Sequence, residues 1–403
     1  MPDGEVSNTD NPGEVSHSFL SNVKPLLFLV GIFFMNFLAR IILSPLMPTV
    51  EKDLKIGHAE AGSLFFLISF GYCLGLLISS FVSSRLKHRT TILLSSLGVG
   101  LTLILAGVSR ELWWIRSILF LMGVAAGFYL PSGIATLTGL VNPRHWGKAI
   151  AIHELAPNLG FIFAPLLTEA LLGWRSWQGI LMVIGIASFV MGGVFLLRGE
   201  GGDFPGEAPN WGMVRNISQE PSLWMMMIFF SLGIGSSFGV YSMMPLYLVS
   251  ERGMERSWAN TLIGLSRVLT LATAFVAGWL TDRLGVKRTL KMVFLLSGLA
   301  IALFGIVPGS WVIWIIFLQP ILTTSFFPPA FAALTRISSP HFKNVAISLT
   351  APVGFIIGGG AVTAGLGVMG EAGLFSLGFI LYGGLLLIGA GLVRYLKFTN
   401  DHG

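Results

Sequence analysis

The feature that most constrains this chain is the recurrence, twelve times over, of an apolar run long enough to cross a bilayer. A hydrocarbon core of about 30 Å takes roughly 20 apolar residues per helix. Runs of that size fall at 26–47, 61–82, 90–109, 113–139, 149–172, 178–197, 222–248, 258–281, 289–308, 311–335, 344–368 and 373–393. Backbone polar groups in hydrocarbon must be satisfied within the spanning segment, so each run is predicted to be a helix. The fold class expected is an all-α membrane protein of twelve transmembrane helices. With 54% of residues hydrophobic and only 11% charged, against about 25% charged in soluble domains, a water-soluble enzyme is excluded. No Walker A sequence, no His-Glu-x-x-His and no nucleophile elbow of Gly-x-Ser-x-Gly form is read in the chain, so no enzyme and no cofactor is expected.

Charge reports orientation. Of the 25 Lys and Arg, sixteen fall in the loops of one side, among them Lys24, Arg89, Lys148, Arg288 and Lys397, and six in the loops of the other. The positive-inside bias places both termini in the cytoplasm of a multi-pass cell-membrane protein surrounded by lipid. The net charge of +6 is then largely topological, and no nucleic-acid partner is expected. The single cysteine, Cys73, excludes a disulfide framework, and no metal site is expected. Residues 1–23 are polar and lack a cationic stretch, which predicts a disordered cytoplasmic tail without a cleaved signal; residues 398–403 form a second tail. A monomer is expected.

The polar stretch 198–221 divides the spans six and six, giving an N-terminal bundle at 24–197, a cytoplasmic linker and a C-terminal bundle at 222–397. The halves echo each other. Pro131, Ala135, Leu137, Thr138, Pro143, Ala149 and Ile150 find identical residues 197 positions on. Parallel six-helix repeats suit a rocking transporter with its site at the membrane midplane.

At the end of the eighth span stands Gly278-Trp279-Leu280-Thr281-Asp282-Arg283-Leu284-Gly285-Val286-Lys287-Arg288. It resembles the Gly-x-x-x-Asp-Arg-x-Gly-x-Lys/Arg-Arg loop signature of the major facilitator superfamily. The resemblance implies two pseudo-symmetric six-helix bundles, alternating access around a central cavity, and a latch at this loop that holds the outward-facing state. Gly278, Asp282, Arg283 and Arg288 carry that latch, with Arg85 and Arg89 in the counterpart loop after the second span. There Ser80 and Ser84 replace the signature Gly and Asp. A narrower likeness joins Arg40 to Pro48 in the first span with the organophosphate:phosphate antiporter and anion:cation symporter branches, whose span-one arginine helps bind an anionic head group. Two features of those antiporters are missing: Pro157 stands where they carry a cavity histidine, and Ser237 where they carry a span-seven arginine.

An ionisable residue at a span centre costs roughly 2.5–3.5 kcal/mol on insertion scales and marks a candidate site. Arg40, with Asn36 one turn before it, and Arg267 in the eighth span are predicted to bind an anion, one from each bundle, because a guanidinium fork matches an oxyanion. Arg40 could instead bridge to Glu154, and Arg267 could bond helix-end carbonyls. Glu154 is the deep acid expected to carry a proton, with Asn158 on its face. His153 is also a candidate, although successive helical residues point about 100° apart. Tyr129, Tyr241 and Gln319 are further cavity candidates. Arg116 resembles the superfamily's span-four arginine displaced by a turn, and interfacial snorkelling explains it equally well. The expected function is proton-coupled secondary transport of a small organic anion. Competing readings are a proton-driven multidrug exporter and a transporter-fold sensor.

Overall fold

A computed structural model of the chain describes residues 23–208, 211–337 and 343–398. The expected tails lie outside these residues, apart from Val23, which opens the first helix, and Phe398, whose ring sits 4.9 Å from the Lys287 ammonium. Eleven helical segments among the described residues are long and apolar enough to cross a membrane. One of them, His58–Val108, holds two of the expected crossings, because the chain reverses at Lys87 (φ 68°, ψ 159°). The twelve crossings are α1 (Val23–Leu54), α2 (58–86), α3 (88–108), α4 (Leu112–Leu140), α5 (Pro143–Leu172), α6 (Trp177–Arg198), α7 (Pro221–Ser250), α8 (Arg256–Leu284), α9 (Val286–Ile306), α10 (Gly309–Leu334), α11 (Ala346–Glu371) and α12 (Phe375–Tyr395). The linker expected to be plain polar chain carries a short helix, Trp211–Ser218.

Several crossings bend, and the bends have a common cause. A proline has no N–H for the carbonyl four residues back and its ring crowds that carbonyl. In α1 the helix breaks at Ile42, ahead of Pro45; in α4 at Phe128, ahead of Pro131; in α5 at Glu154, ahead of Pro157; in α10 at Ser325 and Phe326, ahead of Pro328. Pro131 and Pro328 are partners in the sequence repeat, so both bundles bend a helix at an equivalent place.

The repeat also governs packing. Gly100 on α3 meets Gly185 on α6, and a Cβ at Gly100 would stand 2.7 Å from the Gly185 oxygen; Gly298 on α9 meets Gly383 on α12 with the matching clearance of 2.8 Å. Only glycine permits these backbone approaches, which replace hydrophobic burial as the source of helix association in lipid.

The bundles are joined on the face opposite the termini. Gly62 of α2 packs on Ala364 of α11, and a Cβ at Gly367 would lie 2.4 Å from the His58 carbonyl. Ser44 donates to the Tyr241 carbonyl at 2.9 Å, and the Ala59 amide donates to Glu371 at 3.3 Å. Arg256 of α8 donates to Glu169 of α5 at 2.6 Å, while Asn260 reaches both Glu169 and the Pro45 carbonyl.

Candidate functional site

Arg40 lies one turn before the Pro45 bend, 2% exposed. Its guanidinium carbon stands 3.8 Å from the Tyr72 ring, 5.0 Å from Phe37, 5.1 Å from Phe355 and 5.7 Å from Phe238. Arg267, 1% exposed, stands 4.4 Å from Phe161 and 4.9 Å from Tyr241. Each arginine therefore rests partly on rings of the opposite bundle. Phe161 bridges the two groups, 5.0 Å from Phe37 and 4.7 Å from Tyr241.

The backbone of α7 holds the second arginine. Residues Gly235–Gly239 form a π-helical turn, a widened ladder that recurs at functional sites. Two carbonyls of this turn take side-chain donors: Gln319 Nε2 donates to Ser236 O at 2.7 Å, and Arg267 Nη2 to Ser237 O at 3.3 Å. The α8 guanidinium thus occupies space beside Ser237, the position where the antiporter branch would carry its own arginine. The pentapeptide Gly235-Ser236-Ser237-Phe238-Gly239 also spells Gly-x-Ser-x-Gly, contrary to the sequence reading that no such motif is present. It lies inside a membrane helix rather than on a strand-to-helix turn, and has none of the geometry of a nucleophile elbow.

Among the described residues neither arginine has an ion-pair partner. Arg40 Nε, Arg267 Nη1, Tyr241 Oη and Gln319 Oε1 are buried without a hydrogen-bond partner. A cation–π contact returns about 2 kcal/mol to a desolvated guanidinium against an insertion cost of about 3. The rings soften the burial of two positive charges without neutralising it.

Some expected contacts are different. Arg40 does not bridge to Glu154. Asn36 turns away from Arg40 and donates to Ser95 Oγ at 3.0 Å and Ala126 O at 3.1 Å, tying α1 to α3 and α4. Asn158 donates to the Glu154 backbone carbonyl at 2.9 Å rather than to its carboxylate. Arg116 pairs with Glu60 at 3.1 Å. His153 and Glu154, expected to point about 100° apart, are adjacent at the irregular turn and their side chains meet. His153 Nδ1 stands 3.4 Å from Glu154 Oε1. The imidazole is fully buried and the Glu154 side chain is 51% exposed. Tyr129 Oη lies 3.1 Å from His153 Nε2 and donates to Leu29 O at 2.7 Å, and Phe33 stacks on the imidazole at 4.4 Å.

The loop signature is open. Asp282, Arg283 and Arg288 are exposed, and a Cβ on Gly278 would meet nothing within 4 Å. Arg283 lies on Trp279 at 4.7 Å. In the counterpart loop Arg85 is exposed, while Arg89 pairs with Asp203 of the linker at 3.2 Å. The sequence reading missed Tyr72, Phe161 and Phe238, which come from three other helices. Of the rings around Arg40 only Phe37, three residues before it, shares a helical face with it and was legible from spacing.

Comparison with known proteins follows the same architecture. A family profile described as Major Facilitator Superfamily matches residues 29–356. A probable hexose phosphate transport protein of Chlamydia pneumoniae is 27% identical over 157 residues, 38% of this chain and 33% of that one. Membrane sensor protein UhpC of Escherichia coli (strain K12) is 21% identical over 274 residues, 62% of each chain. The alignments thus span from a third to under two thirds of these relatives. The crystal structure of a bacterial homolog of the human lysosomal transporter Spinster, inward-facing and occupied, superposes with a TM-score of 0.81 at 15% identity, covering 94% of this chain and 97% of that one. With the profile spanning most of its length, the chain belongs to the major facilitator superfamily.

Proposed function

We propose that this protein is a secondary transporter that moves a small organic anion by alternating access, coupled to protons. The observation that carries the reading is the pair of buried arginines, one from each bundle, with unpartnered donors and no carboxylate to neutralise them. A ligand bound by both bundles links its own binding to their relative motion, because only a differential interaction shifts a conformational equilibrium. A relative named for hexose phosphate transport fits an anionic head group between Arg40 and Arg267. Tyr241 and Gln319 offer a hydroxyl and an amide oxygen beside them, and Glu154 with His153 offers an acid–base pair whose carboxyl is half exposed.

The excess of basic residues on the terminal side supports a cytoplasmic location for both termini of a monomer in the cell membrane. On that orientation the joined face is external and the protein faces inward, which agrees with an open latch around Asp282. The test is uptake of carboxylates and phosphonates into proteoliposomes under an imposed pH gradient. Anion flux is expected from the wild type, falling at least tenfold in Arg40→Ala and in Arg267→Ala. Full flux from the double variant would refute the site. The likeness to a membrane sensor favours one other reading, a sensor built on the transport fold. Flux by purified protein alone eliminates it.

A further inference from the structure

The hydrogen bonds around Tyr129 determine where the protons lie in its neighbourhood. A phenol has one proton to donate, and the Leu29 carbonyl at 2.7 Å takes it. Toward His153, 3.1 Å away, the phenol oxygen is therefore an acceptor, so Nε2 must carry the hydrogen. In a neutral imidazole that leaves a bare lone pair on Nδ1. This lone pair faces Glu154 Oε1 at 3.4 Å. Two bare acceptors facing each other repel, so the approach requires one proton between them, either on imidazolium or on carboxylic acid. We infer that Tyr129 fixes the Nε2–H tautomer of His153, and so makes His153 and Glu154 one site that holds a single proton, the unit that carries the coupling proton. This rests on the proton-coupled reading above, which named the two residues but not how they act together.

The surroundings fit such a site. From α1 come the Phe33 ring, stacked at 4.4 Å, and the Leu29 carbonyl; from α4 comes Tyr129. Tyr72 of α2 lies beneath the Arg40 guanidinium at 3.8 Å. Asn158 holds the Glu154 carbonyl. Among the described residues no Arg or Lys pairs with Glu154. The imidazole is sealed and the carboxyl half exposed, so the proton enters through Glu154. Loaded, the pair is neutral overall; empty, it carries one negative charge and its two halves repel. Tyr129 touches no ligand in this scheme and is a positioning residue.

The consequence has a sign. In Tyr129→Phe the imidazole is free to adopt the Nδ1–H tautomer and donate to an ionised Glu154. That stabilises the empty state, so the proton binds less tightly.

The test uses full-length protein with ¹⁵N-labelled histidine in lipid nanodiscs, His153 being assigned by comparison with His153→Gln. Its nitrogen shifts report tautomer and protonation without any substrate. The expected result is an Nε2–H imidazole in the wild type and a mixture of tautomers in Tyr129→Phe. A neutral wild-type imidazole protonated at Nδ1, or an unchanged tautomer in Tyr129→Phe, overturns the assignment to Tyr129. Uptake of a carboxylate probe driven by a pH gradient, if it survives Glu154→Gln, refutes the proton-coupled reading itself.

Discussion

Lys87 and Gly285 occupy matching positions in the two copies of the loop signature and adopt nearly the same backbone, φ 68°, ψ 159° against φ 82°, ψ 156°. That region suits glycine, and a side chain held there costs about 1–3 kcal/mol. The C-terminal copy has the glycine and the N-terminal copy does not. The linker supports the strained turn: Gly202 O accepts the Arg89 amide at 2.9 Å and Phe204 O the His88 amide at 3.2 Å, so two orphan donors at the start of α3 are capped. The Arg89–Asp203 pair beside them is too exposed to add more than about 1 kcal/mol. Lys87→Gly is expected to stabilise the fold by about 1 kcal/mol, after allowance for the extra freedom of glycine in the unfolded chain. Thermal unfolding in detergent checks this, and an unchanged or lower midpoint refutes it. At the same scale Arg40 and Arg267 were legible, because charge inside an apolar run is visible in a string of letters. The partners of Asn36 were not, since Ser95 and Ala126 are placed by helix packing rather than by spacing.

Among the helices, the bends were open to reading from the prolines. The π-helical turns were not, because widening a helix by one residue leaves no compositional mark beyond glycine. Two such turns, Gly235–Gly239 in α7 and Phe355–Ala361 in α11, pack directly together. A Cβ on Gly358 would lie 2.4 Å from the Ser231 oxygen and 2.5 Å from the Gly235 nitrogen. Backbone cannot yield as a side chain does, so Gly358→Ala should cost about 1–3 kcal/mol as an overpacked contact. It should also displace the Ser236 and Ser237 carbonyls that hold Gln319 and Arg267. The expected outcome is a lower unfolding midpoint together with weaker anion uptake at unchanged expression. A destabilised variant that transports with wild-type apparent affinity would show that the turn supports the fold without positioning Arg267. Gly365, on the same helix with nothing within 4 Å of a Cβ, supplies the control: Gly365→Ala should leave uptake unchanged and should not lower the midpoint.

At the scale of the whole molecule, the state is set by which face joins the bundles. The signature around Asp282 predicted a latch on the terminal side, but the polar contacts between bundles described above lie on the opposite side, where no motif marked them. Glu169 is their centre: its side chain is 15% exposed and receives both Arg256 and Asn260. The contact joins α5 to α8, the helices that carry Glu154 and Arg267, so opening this face must separate the elements bearing the proposed proton site and Arg267. A hydrogen bond to a charged group contributes about 1.5–3 kcal/mol, and each 1.4 kcal/mol is tenfold in a two-state ratio. Removing the Glu169 charge should therefore move the conformational ratio toward the state open on this face by about ten- to a hundredfold. Spin labels on Lys55→Cys and Ala372→Cys, at exposed positions of the two bundles on that face, report the change as a distance distribution. Buried Cys73 stays in the background protein. Glu169→Gln should populate a longer distance that the parent lacks, and Lys52→Gln, which removes an exposed charge from the same face, should not. Identical distributions in parent and Glu169→Gln would mean that the glycine-to-backbone packing of α2 on α11 keeps this face closed without help from the ion pair.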